Sequence, residues 1–399
     1  MSETHRCNHS RRNAIKTLAA APLLAPCASA FANAPEPPPS PVSGQSLQES
    51  VTQLQTLSNA PIKRIERFQL APTDLPWQKS LGKLEQGQAV TFLLTGHWWF
   101  FKEQSRWLEP GFVFFARTTN KTGSSVIYNA MQNTGTFYAD RNGSLEIARS
   151  VGEFASPQGD LWVPIEQYQA SEGHVEGIAI IWEGDPKKGL TQLSSAGDVQ
   201  GMLKAELQRQ RLLSLMPEGW SNIFMFGDGS IYTENAKGHI DCETHKNVGI
   251  LQYPLADQPL VSNLQLDWDW IVHQLPSTLP EDTLLAHDYL SMAVEFDDGQ
   301  DITYMWSSSL PVGKVFRCPI PGWDQVETHV VQRSGTTQLG QWVSEQRNLY
   351  DDYKTIINGP ATRVVRVWLI ANSLFMRQYG ECAYQAIRIG PTGQQQTIL

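Results

Sequence analysis

Leu264-Gln265-Leu266-Asp267-Trp268-Asp269-Trp270-Ile271-Val272 alternates apolar and polar side chains. Period two belongs to a half-buried strand, since successive side chains of a strand point to opposite faces. Leu266, Trp268, Trp270 and Val272 therefore share one face, the expected core side, with Asp267 and Asp269 on the other. His287 to Phe296 continues as another strand. Nearer the N-terminus, His239, Asp241, Glu243 and His245 alternate with Ile240 and Cys242. In the first half, Ala89–Leu94, Gly111–Ala116, Ser144–Ala148 and Gly177–Trp182 are short, β-rich and cut by glycine. Parallel sheets need helical crossovers, so this rhythm predicts antiparallel sandwiches or jelly rolls.

The 399 residues suggest two domains at roughly 100–200 residues each. Charged residues make up 18% and aromatics 10%, with 13 Trp, which excludes a disordered chain. The net charge of −9 and the lack of a basic block argue against nucleic acid, whose binding needs clustered Lys and Arg. No apolar run long enough to span a membrane follows the N-terminus.

Ser10-Arg11-Arg12-Asn13-Ala14-Ile15-Lys16, the apolar Thr17 to Ala25 and the small residues at Ala28, Ser29, Ala30, Ala32 and Ala34 resemble a twin-arginine export signal. An ordinary secretory signal is the alternative. Residues 1–34 are thus expected to be a signal peptide. Residues 35–60 are read as a Pro-rich linker with one short helix carrying Leu47, Val51, Leu54 and Leu57. The further organisation expected is a sandwich over 61–186, a helical linker over 187–217, a second sandwich over 218–390 and a tail over 391–399. Leu203, Leu207, Leu212 and Leu215 mark the linker helix, stopped by Pro217 and Gly219. Cys242, Cys318 and Cys382 remain after the signal; they lack zinc-ligand spacing and read as buried small hydrophobes.

Two resemblances follow from ordered motifs. Trp77 to Leu81, Leu84 to Phe92, Thr95-Gly96-His97-Trp98, Gly143-Ser144-Leu145 through Val151-Gly152, and Gly177 to Trp182 resemble galactophilic bacterial lectin-like domains. Such lectins hold calcium in a late acidic loop. The matching Tyr168-Gln169-Ala170-Ser171-Glu172-Gly173-His174 offers one Glu and one His, so no calcium site is carried over. In the second half, Tyr304-Met305-Trp306-Ser307, Pro311-Val312-Gly313, Arg333-Ser334-Gly335, Leu339-Gly340-Gln341-Trp342, Glu345-x-Arg347-Asn348 and Asp352-Tyr353 follow the two strands from Leu264 and His287. This series is similar to the bacterial domain of unknown function numbered 3047, which implies no activity. Later members of that family tend toward an acidic run where this chain has Ala371-Asn372-Ser373-Leu374-Phe375.

Several clusters compete as sites. Trp98-Trp99-Phe100-Phe101 with Trp107 either stacks on a sugar face or fills the core by alternation. His239, Asp241, Glu243 and His245 read as the solvent face of an edge strand. Same-face neighbours lie about 7 Å apart, so at most two share an ion. Glu295, Asp297, Asp298 and Asp301 surround Gly299 in an expected exposed hairpin turn, a poor place for the raised pKa of a glycosidase acid. Gln338 to Tyr353 reads as partly helical. There Arg347 and Asp352 either form a structural ion pair or stand in a cleft wall.

The chain is therefore expected to be all-β, with two antiparallel β-sandwich or jelly-roll domains joined by a helix. It is expected to be periplasmic or secreted, and to bind carbohydrate or a cell-envelope glycan through Trp306, Arg333, Trp342, Arg347, Asn348 and Tyr353. No cofactor, metal or nucleic-acid partner is expected. The alternatives are a carbohydrate-active hydrolase or lyase with its site in the C-terminal domain, and a purely structural envelope protein.

Overall fold

The computed structural model describes residues 37–399 apart from 125, 126, 131, 153, 157, 162, 223–230 and 321. The expected export signal lies outside the described residues. The fold is all-β, and the chain divides into two compact units between Arg211 and Leu212. No helix among the described residues is long and apolar enough to cross a membrane.

The first unit contains β1 (Ile62–Leu70), β2 (Lys79–Leu84), β3 (Ala89–Phe101), β4 (Arg106–Leu108), β5 (Phe114–Asn120), β6 (Gly123–Ser124), β7 (Tyr128–Asn129), β8 (Thr134–Tyr138), β9 (Gly143–Arg149) and β10 (Gly173–Trp182). They form two sheets, β1-β10-β3-β4 with β8 beside β3, and β2-β9-β5-β6 with β7 beside β5. A helix over Gly44–Ser58 buries Leu47 and Val51 against the first sheet, as the helical spacing of those residues requires.

The stretch expected as a single connecting helix forms two, Pro186–Ala196 and Met202–Leu213. Leu190, Leu193 and Leu203 join the same core as Leu47 and Val51. Glu206 is buried on the second helix. It accepts from Arg209 and Gln210 and from Thr136 on β8, so the helix is bound to the sheet by charge as well as by packing.

The second unit contains β11 (Ser221–Asn222), β12 (Tyr232–Glu234), β13 (Ile240–His245), β14 (Val248–Pro259), β15 (Leu264–Gln274), β16 (Tyr289–Phe296), β17 (Asp301–Ser307), β18 (Val315–Arg317), β19 (Glu327–Ser334), β20 (Val343–Asn348), β21 (Arg363–Asn372), β22 (Tyr379–Pro391) and β23 (Gln396–Thr397). A seven-stranded sheet runs β11-β14-β21-β16-β17-β19-β18, and a six-stranded sheet runs β12-β13-β22-β15-β20 with β23 on β22. Between them lies one core. Leu266, Trp268, Trp270 and Val272 face Leu290, Met292, Val294, Tyr304 and Trp306 there, as the alternation in β15 predicts. Ile398 also enters this core, so the last residues pack rather than trail.

Two features depart from expectation. First, β17 and β19 pair in parallel, Asp301 opposite Glu327 and Thr303 opposite His329. Residues 308–326 make this possible by crossing from the end of β17 to the start of β19, with β18 forming the sheet edge beside β19 on the way, and they place Leu310, Phe316 and Trp323 on the outer face beside Met305, Trp368 and Ile370. Second, β13 is an inner strand, between β12 and β22. The face of β13 carrying Asp241, Glu243 and His245 still points to solvent.

Candidate functional site

Trp342 is the only tryptophan among the described residues with more than a third of its surface exposed, at 39%. It stands just before β20 and meets His239 edge-on, with ring centroids 4.9 Å apart. His239 directly precedes β13 and shares the outward parity of Asp241, Glu243 and His245. The outer face of the six-stranded sheet also carries Asp267 and Asp269. Asp267 accepts from Gln346 at 3.0 Å and Gln395 at 2.7 Å, and pairs with Arg388 at 3.4 Å. Gln385 reaches Asp269 at 3.4 Å. The result is a polar sheet face with one bare aromatic ring.

The six residues expected to line one cleft do not share one exposed surface, although Trp306 stands opposite Arg333 on neighbouring strands. Trp306 and Tyr353 are buried in the core between the sheets. The Trp306 indole donates to the Gly335 carbonyl at 3.0 Å. The Tyr353 hydroxyl donates to Asp298 and accepts from the Ala361 amide at 2.9 Å. Both have inward parity on strands or turns that the sandwich closes over, which single-sequence patterning did not reveal. Asn348 caps the helix Leu349–Asp352, accepting from the Tyr350 and Asp351 amides at 3.1 Å. Arg347 makes a two-pronged pair with Asp352, and Tyr304 donates to the same carboxylate at 2.7 Å. These contacts build the edge of the sandwich and support the ion-pair reading of Arg347. Arg333 pairs with Glu345, a buried carboxylate that also accepts from the Trp270 indole at 3.1 Å. Trp342 alone of the six presents a large free surface.

The acidic hairpin also differs from expectation. Gly299 does take a left-handed turn (φ 81°) between β16 and β17. Glu295 and Asp301, however, are buried, because both face the sheet surface that residues 308–326 help to cover. Glu295 pairs with Arg366 at 2.7 Å. Burial pushes the Asp297 carboxyl up, but donors from Thr362 and Arg363 outweigh it and hold the group below the usual carboxylate range. Among the aromatic run of the first unit, Trp98 is buried under the Arg149 guanidinium and Trp107 is buried too, while Trp99, Phe100 and Phe101 are half-buried.

A second cluster lies on the outer face of the seven-stranded sheet. Ligand atoms of His287, Cys318 and His329 all lie within 4.8 Å of one another, and all three residues are buried. Glu327 and His329 are two residues apart on β19, so they share a face. Cys318 lies one step beyond β18, and its amide donates to the Glu327 carbonyl at 3.1 Å. Its Sγ is 3.4 Å from His287 Nε2. The His329 Nε2 is 3.5 Å from a Glu327 oxygen, within ion-pair reach, but neither ring nitrogen of His329 makes a hydrogen bond. Leaving a buried polar group unsatisfied costs about 1–3 kcal/mol.

The protonation states follow from burial. Burial, and then the neighbouring His329, push His287 down to about 3, so its ring is neutral. Burial, and then the Glu327 carboxylate, push the Cys318 thiol well up. Burial raises Glu327, yet His329 beside it holds the carboxyl below its ordinary value. Sequence reading missed these four residues because they are spread from position 287 to position 329, through ordinary strand and turn and without any compact motif. Glu327-x-His329 on a strand was the one available signal.

Residues 219–388 match the profile of Protein of unknown function (DUF3047). That span covers the second unit almost entirely, including both the Trp342 face and the buried His/Cys/Glu cluster. No curated protein matches the chain. Among solved structures, the xyloglucanase domain of NopAA, a type three effector from Sinorhizobium fredii in complex with cellobiose, is similar at 8% identity and TM-score 0.28, over 44% of this chain and 94% of that one. An exo-beta-agarase is similar at 10% identity and TM-score 0.25, over 45% of this chain and 24% of that one. The vicilin of Corylus avellana (hazelnut) is similar at 8% identity and TM-score 0.17, over 86% of this chain and 79% of that one. Likenesses this distant carry no argument about activity.

Proposed function

We propose that this is an exported glycan-binding protein whose ligand face is the outer surface of the six-stranded sheet around Trp342. The supporting observation is a bare tryptophan ring set on a polar sheet face. A sugar presents an apolar face of C–H groups and a rim of hydroxyls. The ring of Trp342 takes the first, while His239, Asp269 and Gln385 supply donors and acceptors for the second. A rigid sheet holds these groups in place before the ligand arrives, which lowers the entropy cost of binding. The expected ligand is a neutral or cationic glycan, because the carboxylates of this face repel anions.

The test is a glycan array followed by calorimetric titration of the hits. Trp342→Ala should weaken binding about tenfold or more, since a stacked ring contributes about 1–3 kcal/mol where aromatic stacking on bases has been measured. The far-UV spectrum and the melting temperature should stay as they are. Loss of stability with unchanged affinity would refute this placement. A hydrolase reading has one observation in its favour: Asp267 and Asp269 share the face at a spacing of about 7 Å, within the roughly 5–9.5 Å that separates glycosidase carboxyls. Release of reducing ends from a bound glycan, lost in Asp269→Asn, would establish that reading instead.

A further inference from the structure

We propose that His287, Cys318, Glu327 and His329 hold one zinc ion at a closed, structural site that pins the crossover 308–326 to β19 and to the segment entering β16. The proposal is independent of the glycan face, which belongs to the opposite sheet.

Four observations meet here. The donor set is two imidazoles, a thiolate sulfur and a carboxylate oxygen, the mixture that zinc takes in tetrahedral sites. Bonds of about 2.0 Å to nitrogen or oxygen and about 2.3 Å to sulfur make tetrahedron edges of about 3.3–3.6 Å. Two opposite edges already have that length, Cys318 Sγ to His287 Nε2 at 3.4 Å and His329 Nε2 to Glu327 at 3.5 Å. The His and Cys donors all lie within 4.8 Å of one another, so the widest separation must shorten by about 1.2 Å as the ion enters.

The second observation concerns the tautomer of His287. Its Nδ1 lies 2.6 Å from the Glu281 carbonyl, which can only accept. Nδ1 therefore carries the hydrogen, and the lone pair of Nε2 points at Cys318. Metal-binding histidines are oriented by this kind of outer contact. Glu327 is oriented likewise, by the Tyr289 and Thr303 hydroxyls, each at 3.2 Å.

Third, His329 is fully buried with no hydrogen bond to either ring nitrogen, and the flat face of its ring lies against Phe316, with centroids 5.0 Å apart. A metal bond satisfies one of those nitrogens. Fourth, the charges balance. Two neutral imidazoles, one thiolate and one carboxylate sum to −2 and cancel the ion, the condition under which a buried charge is tolerated. The thiol proton leaves to solvent as the ion enters, so zinc uptake releases a proton.

The test uses untagged full-length protein and elemental analysis. About one zinc per chain is expected, retained through gel filtration and lost on unfolding in the presence of a chelator. Cys318→Ser and His329→Gln should each lower the zinc content severalfold, whereas Cys242→Ser, a buried thiol in the other core, should leave it unchanged. In case those variants fold poorly, cobalt exchanged into the wild type provides a second readout: visible bands of tetrahedral cobalt and a near-ultraviolet thiolate charge-transfer band should appear. Metal-free protein that binds no cobalt would overturn the proposal, as would zinc retained in both ligand variants. Copper with an intense thiolate-to-copper band would overturn the zinc assignment in favour of electron transfer.

Discussion

Tyr353 separates packing from recognition more cleanly than any other single residue here. Its ring is buried against Phe296, with centroids 4.5 Å apart, and its hydroxyl serves both Asp298 and the Ala361 amide. Tyr353→Phe keeps the ring and removes both hydrogen bonds, leaving a buried amide unsatisfied. Denaturant titration should show a loss of about 1–3 kcal/mol, with glycan affinity unchanged. Reduced affinity at full stability would return Tyr353 to the ligand face. The contrast with Trp342 shows how far side-chain roles could be read from sequence. Trp268 and Trp270 sit in an alternating strand and were assigned inward correctly. Trp306 and Tyr353 lie in segments whose period is ambiguous, where an aromatic ring suits a core and a binding surface equally. Burial by residues distant in the chain decides the matter, and no local pattern carries that information.

At the scale of elements, Glu206 governs how the helix Met202–Leu213 holds to its sheet. Burial raises its pKa, but Arg209, Thr136 and Gln210 outweigh that and lower it overall. A carboxyl with a lowered folded-state pKa releases its proton on folding. The unfolded state therefore binds more protons as pH falls through the ordinary glutamate value, about 4.3. The stabilisation is fully present above that value and is lost as pH drops through the folded-state pKa. Melting curves from pH 7 to 3 should show this loss in the first unit, and Glu206→Gln should flatten the acid limb while lowering stability at neutral pH. An unchanged acid limb would mean that Glu206 is not held by these partners. Helix existence was legible here from the leucine spacing. The break between Ala196 and Met202 was not, because both halves carry the same apolar stripe. The parallel β17–β19 pair was equally hidden, since β strands look alike whichever way their neighbours run.

For the whole molecule, the division at Arg211 and Leu212 gives a direct expectation. Residues 37–211 and 212–399, expressed separately, should each unfold in one cooperative transition, because each encloses its own core. A cut near residue 190 should instead leave the first fragment with broad or absent melting, for it removes Leu193 and Leu203 from that core. Equal behaviour of the two first-unit fragments in calorimetry would show that the helices after β10 are dispensable. The two-sandwich architecture was legible in advance from strand rhythm and glycine punctuation. Helices 186–213 have a composition as polar as a linker, and their buried stripe belongs to the core of the first unit.

The excursion of residues 308–326 also orders events in time. β16 and β17 are joined by a short turn and can zip together from their Gly299 end as soon as the chain collapses. β19 has a local antiparallel partner in β18 but no hairpin to β17. Its parallel pairing with β17 must wait until the crossover 308–326 closes, a closure whose entropy is lost before the β17–β19 bonds reward it. Glu327 and His329 ride on that late strand, and Cys318 enters with it. Opening of the β18–β19 edge would therefore return these groups to water together.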